Sequence, residues 1–290
     1  MSSVNEIKRH LRAVEQTRQI TNAMYLLSTS RMKKAMQNID FNLFYLKRLR
    51  STIKDIIKHT AVNNLHDKFI DDNGKGTAVF VIVTSDKGLC GSYNSSVMKL
   101  AFEKMSEHYE PLVISLGIEG DAMIKAQGIP IGYSWYGASQ HPTMNLAEQV
   151  ASKLVPLYLS DDYHEIYVVY TEYINANVQE PKCVRLLPLQ EEDFDDVENE
   201  ETNSAEMIYE PDVETVFEHL VQQYVVGFMY DVLMQSSASE NIARMTAMQN
   251  ATRNADEMIT QLSTELNAAR QLQITNEITE ISAATEMGAV

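Results

Sequence analysis

Cysteine is scarce. Cys90 and Cys183 are the two in 290 residues. That is too few for a disulfide framework and fits a reducing compartment. Long hydrophobic runs are missing as well: no apolar stretch approaches the roughly 20 residues that a membrane span requires. Lys8, Arg9, Arg12 and Arg18 interrupt the N-terminus, and no short apolar core follows them, so no cleaved leader is predicted. The expectation is a soluble chain, or one held at a membrane by other proteins. Glycine and proline are absent over long distances. The first glycine is Gly74, the first proline is Pro111, and between Pro211 and Met287 stands a single glycine, Gly227. Residues 191–214 contain no Lys or Arg.

What is present is unevenly distributed. The formal net charge is −16, yet residues 1–59 hold twelve of the 24 Lys and Arg against four acids, Glu6, Glu15, Asp40 and Asp55. A basic arm on an acidic body suits nucleic acid or an acidic protein partner. The bases follow a helical spacing, without a cluster or interleaved aromatics, so no nucleic-acid partner is expected.

The punctuation-free ends read as helices. Residues 4–59 form one uninterrupted candidate, with Val4, Ile7, Leu11 and Val14 recurring at three- and four-residue steps. Ile20, Met24 and Leu27 continue the stripe after a phase shift, and Ile39, Leu46, Leu49, Ile53 and Ile56 complete it. This is coiled-coil spacing with a stutter. At the helical rise such a rod is about 80 Å long, more than a compact domain of this size contains. Pro211 and Asp212 mark a second helix start. Its seam runs through Ile242, Met245, Gln249, Thr252, Ala255, Ile259, Leu262, Leu266 and Ala269, and it could reach about 110 Å. Two seamed helices at opposite ends of a chain most simply pair with each other, antiparallel if the middle brings their roots together.

The middle alternates strand and helix. Strands are expected at Thr77–Thr84, Leu112–Leu116, Ile129–Trp135 and Glu165–Tyr173, with helices at Ser92–Glu107, Asp121–Gln127 and Asn145–Leu159. A last strand, Lys182–Leu189, pairs antiparallel with its predecessor. Such alternation implies a mostly parallel sheet covered on both faces. The acidic, low-complexity run Glu191–Glu214 reads as a linker, mobile at its start over Glu191–Ala205.

Chemical motifs are few. The loop TSDKGLCGSYN, Thr84–Asn94, joins a strand to a helix and could cradle a phosphate on its backbone amides. It lacks the Gly-Lys-Ser/Thr of a nucleotide-binding loop and the G-x-G-x-x-G of a dinucleotide site, so a packing turn is the favoured reading. Cys90 has no neighbouring base in sequence and reads as a packed thiol. The seven histidines show no metal spacing, and the acidic run lacks calcium-loop positions. No catalytic residue, cofactor or metal is therefore expected. Arg244–Asn254 (RMTAMQNATRN) carries small, polar and Met side chains, which suits either a thin coiled coil or a shaft that must slide inside a sleeve.

Four stretches, in order and spanning essentially the whole chain, resemble the gamma subunits of F-type ATP synthases. They are EIKRHLRAVEQTRQITNAMYLLSTSRMKKA (Glu6–Ala35), VTSDKGLCGSYN (Val83–Asn94), Tyr209–Pro211, and Ser239–Ile281 with ARMTAMQNATRNADEMI and AARQLQITNEITEI. The resemblance implies an α/β fold: a long antiparallel coiled coil of the N- and C-terminal helices plus a Rossmann-like α/β domain with a mostly parallel sheet. The divisions are 1–60, 61–208 with an acidic loop at 190–208, and 209–290. It implies a non-catalytic central stalk that couples rotation of a membrane c ring to ATP synthesis or hydrolysis at beta subunits. Its partners would be the alpha and beta subunits, an epsilon subunit and the c ring, with indirect membrane association at the cytoplasmic face of a bacterial cell membrane. By resemblance, Met24, Arg31, Lys33 and Lys34 face the acidic lever of the beta subunits. Arg270, Gln271 and Thr275 engage a beta-subunit catch loop, and Tyr209 lies at the base near the c ring. Tyr25–Thr29 and Ala284 depart from the family pattern. The alternatives are a divergent gamma-like subunit of a non-coupling assembly and, in another class, a nucleotide-binding enzyme with coiled-coil arms.

Overall fold

The computed structural model describes residues 4–61, 68–70, 77–160, 162–194 and 209–287. The chain forms two compact units, Thr29–Ala243, and Met1–Ser28 with Arg244–Val290. Two long helices, α1 (Val4–Ala61) and α5 (Val213–Met287), contribute to both.

The larger unit holds a five-stranded sheet in the order β3-β2-β1-β4-β5. Its strands are β1 (Thr77–Val83), β2 (Leu112–Leu116), β3 (Ile131–Trp135), β4 (Tyr163–Asn175) and β5 (Val178–Leu187), and its further helices are α2 (Tyr93–Met105), α3 (Ile118–Ala126) and α4 (Met144–Leu159). The first four strands are parallel and β5 is antiparallel to β4. β1 shows why its sequence, TAVFVIV, is apolar throughout. Ala78, Phe80 and Ile82 pack with Val97, Met98 and Ala101 of α2 and Ile124 of α3 on one face. Val79, Val81 and Val83 pack on the other with α4, with Ile53 and Ile56 of α1, and with Phe217, Val225 and Leu233 of α5. A strand buried on both sides has no reason to alternate. β5 begins earlier than expected, at Val178, because the hairpin registers as far as Asn175 against Val178.

Within this unit α1 and α5 run antiparallel. Asn38 approaches Met234, and the Asn42 amide donates to the Gly227 carbonyl at 3.1 Å. Gly227 permits that approach, since a Cβ there would meet a Leu46 methyl at 3.0 Å. The Asp212 carboxylate accepts from the Thr215 N–H at 2.8 Å and starts α5 where Pro-Asp predicts.

The acidic run opens on a short turn. Glu191–Phe194 is a 3-10 turn, Phe194 is fully buried, and Asp193 pairs with Arg185 at 3.3 Å. One aromatic inserted into the core anchors the turn against the repulsion of its acids. The remainder of the predicted loop, residues 195–208, lies outside the described residues.

The smaller unit is an antiparallel helix pair. Ile7, Val14, Ala255 and Leu262 form its core, flanked by Leu11, Ile259, Leu266 and Ala269. Arg18 pairs with Asp256, and the hydroxyls of Thr21 and Thr252 meet at 2.7 Å.

The expected phase shift in α1 is absent. Ile7, Val14, Thr21, Ser28, Ala35, Asn42, Leu49 and Ile56 are all buried, which is one unbroken heptad. Ile20 is 61% exposed and Leu27 53%, whereas Thr21 is 8% and Ser28 2%. Apolar side chains here turn outward, and small polar ones fill a narrow seam. On α5 the buried position is Met248 rather than the neighbouring Gln249.

Candidate functional site

Three regions bear on function. The first is the distal part of α5. The α1 side of the helix pair begins at Val4, and the last α5 residue of its core is Ala269. α5 nonetheless continues to Met287, and every side chain described from Arg270 to Ser282 is exposed. Arg270, Gln271 and Thr275 lie here, and the Thr275 hydroxyl donates back to the Gln271 carbonyl at 2.8 Å. Ile274, Ile278 and Ile281 share this stretch at i, i+4 and i+7, between 55% and 67% exposed, so they form one stripe. Sequence reasoning missed the stripe, although its helical spacing and the end of the polar-apolar seam at Ala269 were signals for it. Met24 is half-buried on α1 of the same unit.

The second region is basic. Arg31 and Lys34 share the wall of a cavity of about 220 Å³ with His141, Thr143 and Ser237. Thr143 caps α4 by accepting from the Leu146 N–H at 3.2 Å, so the cavity abuts the positive end of a helix. Lys33 is exposed and lies outside that lining. His141 carried no signal in sequence because it reaches the site from a loop more than a hundred residues away.

Tyr209 precedes α5, half-buried against the main core. Burial, then the nearby Asp55 carboxylate, pushes its phenol above the ordinary range. It is not grouped with the other predicted residues of the larger unit.

The third region is the loop after β1. In a doubly wound sheet, ligands bind outside the carboxyl ends of the strands where the strand order reverses, here between β1 and β4. That crevice is filled by the chain itself. Tyr93 is buried there, and its hydroxyl is held strongly protonated, by burial first and by the Glu240 carboxylate second. The Ser239 hydroxyl donates to the Thr171 carbonyl of β4 at 3.5 Å. Cys90 is buried beside Ser85 and Asn94. α5 thus lies at that crevice, and in the loop Gly91 takes a φ of +59° with open space where a Cβ would stand. Among the described residues no group of acids, histidines and cysteines could hold a metal ion, and no helix is long and apolar enough to cross a membrane.

Comparison with known proteins agrees with this arrangement. The family model described as "ATP synthase" matches residues 3–287. A protein of Ruminiclostridium cellulolyticum named ATP synthase gamma chain is 36% identical over 287 residues, covering 97% of each chain. That of Caldanaerobacter subterraneus subsp. tengcongensis is 37% identical, covering 95% of this chain and 97% of its own. Among solved structures, a chain of the Euglena gracilis mitochondrial ATP synthase aligns with a TM-score of 0.67 over 99% of this chain and 95% of that one. A chain from the central stalk and c-ring structure of the Tetrahymena thermophila mitochondrial enzyme aligns at 0.58 over 80% and 99%. These two are 18% and 23% identical, and they speak to the fold. From matches along nearly its whole length to proteins that share its two terminal helices and parallel sheet, the chain belongs to the ATP synthase gamma chain family.

Proposed function

We propose that this chain is the central stalk of a bacterial ATP synthase, a non-catalytic rotor that couples turning of a membrane c ring to ATP synthesis or hydrolysis at beta subunits. The observation that carries this reading is the end of α5: a solvent-facing helix, Arg270 to Ser282, bearing an isoleucine stripe and a polar face, on a chain of this family. Exposed isoleucines on one stripe serve a surrounding sleeve, because apolar contact is non-directional and tolerates rotation. Arg270, Gln271 and Thr275 supply the opposite quality. A charge-assisted hydrogen bond is directional, so it forms at one angle of the shaft and breaks at others. One asymmetric shaft inside a three-fold sleeve then places each catalytic site in a different state in turn.

Arg31, Lys34 and the cavity they share supply positive charge for an acidic lever segment of the beta subunits, with Met24 and Lys33 as neighbouring contacts. Tyr209 belongs to the base that meets the c ring and the epsilon subunit, and membrane association at the cytoplasmic face is indirect. The filled β1–β4 crevice supports the non-catalytic assignment. The test is a complex reconstituted with Arg270→Ala/Gln271→Ala. Assembly is expected to persist while ATP turnover or ion pumping changes. If assembly, turnover and pumping all match the parent complex, the catch role of these two residues is wrong. If the parent chain fails to restore pumping to alpha, beta and c-ring subunits lacking this component, the stalk reading itself fails. Restored ATP turnover without pumping favours the non-coupling assembly.

A further inference from the structure

We infer that Asp86 and Ser139 form a latch that fixes the rotational angle of α5 against the sheet; this rests on the stalk reading above. The loop after β1 is held rigidly at its root. The Thr84 N–H donates to the Leu116 carbonyl at 2.7 Å, and the Thr84 hydroxyl accepts from the Gly120 N–H at 3.0 Å. The Asn94 side chain closes the loop from the other side, accepting from the Ser85 N–H at 3.0 Å and donating to the Ser85 hydroxyl at 2.7 Å. Asp86 is thereby placed with its carboxylate buried. Its Oδ1 accepts from the Gly137 N–H at 2.9 Å, and its Oδ2 accepts from the Ser139 hydroxyl at 3.1 Å. Such charge-assisted bonds in a dry setting are among the stronger polar contacts available. They immobilise the segment Gly137–Ser139, and the Ser139 carbonyl in turn accepts from the Ser237 hydroxyl of α5 at 2.8 Å.

The opposite side of α5 is gripped as well. Gln235 accepts from the Tyr173 N–H at 3.2 Å, and Ser239 donates to the Thr171 carbonyl, both on β4. On a helix, residue 239 lies about 40° from residue 235, whereas residue 237 lies about 160° from it. The two β4 bonds and the Ser139 bond therefore hold α5 on two opposed sides. Interdigitated apolar side chains already resist rotation of α5, and directional bonds on opposed sides add a second, angle-specific restraint. The sequence TSDKGLCGSYN has a use in this arrangement: it aims the Asp86 carboxylate.

The experiment uses the complete reconstituted ATP synthase, with Ser237→Ala, Asp86→Ala and Asp86→Asn chains. Subunit assembly, unloaded ATP hydrolysis, ions pumped per ATP against a gradient, and torsional stiffness of single rotating complexes are measured. Ser237→Ala, which also alters the wall of the Arg31–Lys34 cavity, is expected to assemble with torsional stiffness reduced and ions pumped per ATP hydrolysed down by about fivefold, both read independently of the hydrolysis rate. Asp86→Asn keeps an acceptor for Gly137 and a polar partner for Ser139, so it is expected to retain more pumping than Asp86→Ala. Parent-like pumping and stiffness in Ser237→Ala overturn the latch. Failure of Ser237→Ala to assemble also overturns it, because the hydroxyl then holds the fold rather than the angle. Failure of the parent chain to support pumping sinks the stalk reading instead.

Discussion

Asp231 is 7% exposed on α5, with Oδ2 accepting from the Gln235 amide at 2.5 Å and Oδ1 buried without a hydrogen-bond partner. Burial pushes its carboxyl above the ordinary range, and the Gln235 and Asn42 amides offset part of that rise. The folded chain thus binds this proton more tightly than the unfolded one. Its contribution is complete below the ordinary carboxylate pKa and is lost as pH rises through the elevated one. Asp231→Asn is therefore expected to stabilise the chain at neutral pH by about 1 kcal/mol, with the gain vanishing on acidification. Melts of both chains across a pH series check this, and a gain that grows in acid refutes it. Cys183 titrates in the same direction. Burial raises its thiol to about 11, with Lys104 pulling the other way, and Cys90 is buried outright. Alkylation at pH 8 is expected to be slow at both until denaturant is added, because the reactive thiolate is rare or shielded; rapid native labelling of Cys90 contradicts the packing. At Gly117, with φ of +119°, a Cβ would lie 2.4 Å from the Thr84 carbonyl oxygen. Gly117→Ala is expected to cost about 3 kcal/mol or more, read from denaturant midpoints.

At the scale of elements, the heptad of α1 makes a contrast that composition alone does not. Val14→Ala is expected to cost about 1–2 kcal/mol, and Ile20→Ala to stay within about 0.5 kcal/mol of the parent. Paired denaturation curves decide it, and a larger loss at Ile20 restores the shifted phase. The contrast also shows what was legible beforehand. Helix ends and strand positions followed from punctuation: Pro211-Asp212 opens α5, and the apolar run of β1 announced a strand covered on both faces. The seam at Thr21 and Ser28 did not follow, because apolarity was used as the sign of burial. In a closely spaced helix pair, size and hydrogen bonding decide burial, and Thr21 finds Thr252 across the seam. For the candidate site, Arg31, Lys34, Arg270 and Gln271 were proposed from resemblance to local motifs. His141 and the Asp86–Ser139 bonds were not, since their partners meet only after the sheet brings segments some fifty or a hundred residues apart together.

For the molecule as a whole, the doubly wound sheet has lost the vacancy that usually gives such a fold its ligand. α5 crosses the β1–β4 crevice, so the isolated chain is expected to bind neither ATP nor NAD in equilibrium dialysis at millimolar concentrations. Saturable binding that Ser239→Ala alters reopens the enzyme reading. The same use of the last helix governs how the chain is made. Thr21 and Thr252 are 231 residues apart, so the first helix leaves the ribosome long before its partner exists. At roughly 5–20 residues per second, the wait is about 10–50 s, and a lone helix in water has little stability of its own. Throughout that interval Ile7 and Val14 are sticky and unmatched, which makes the newborn N-terminus a client for chaperones and a point of quality control. A chain cut short before α5 keeps that seam exposed.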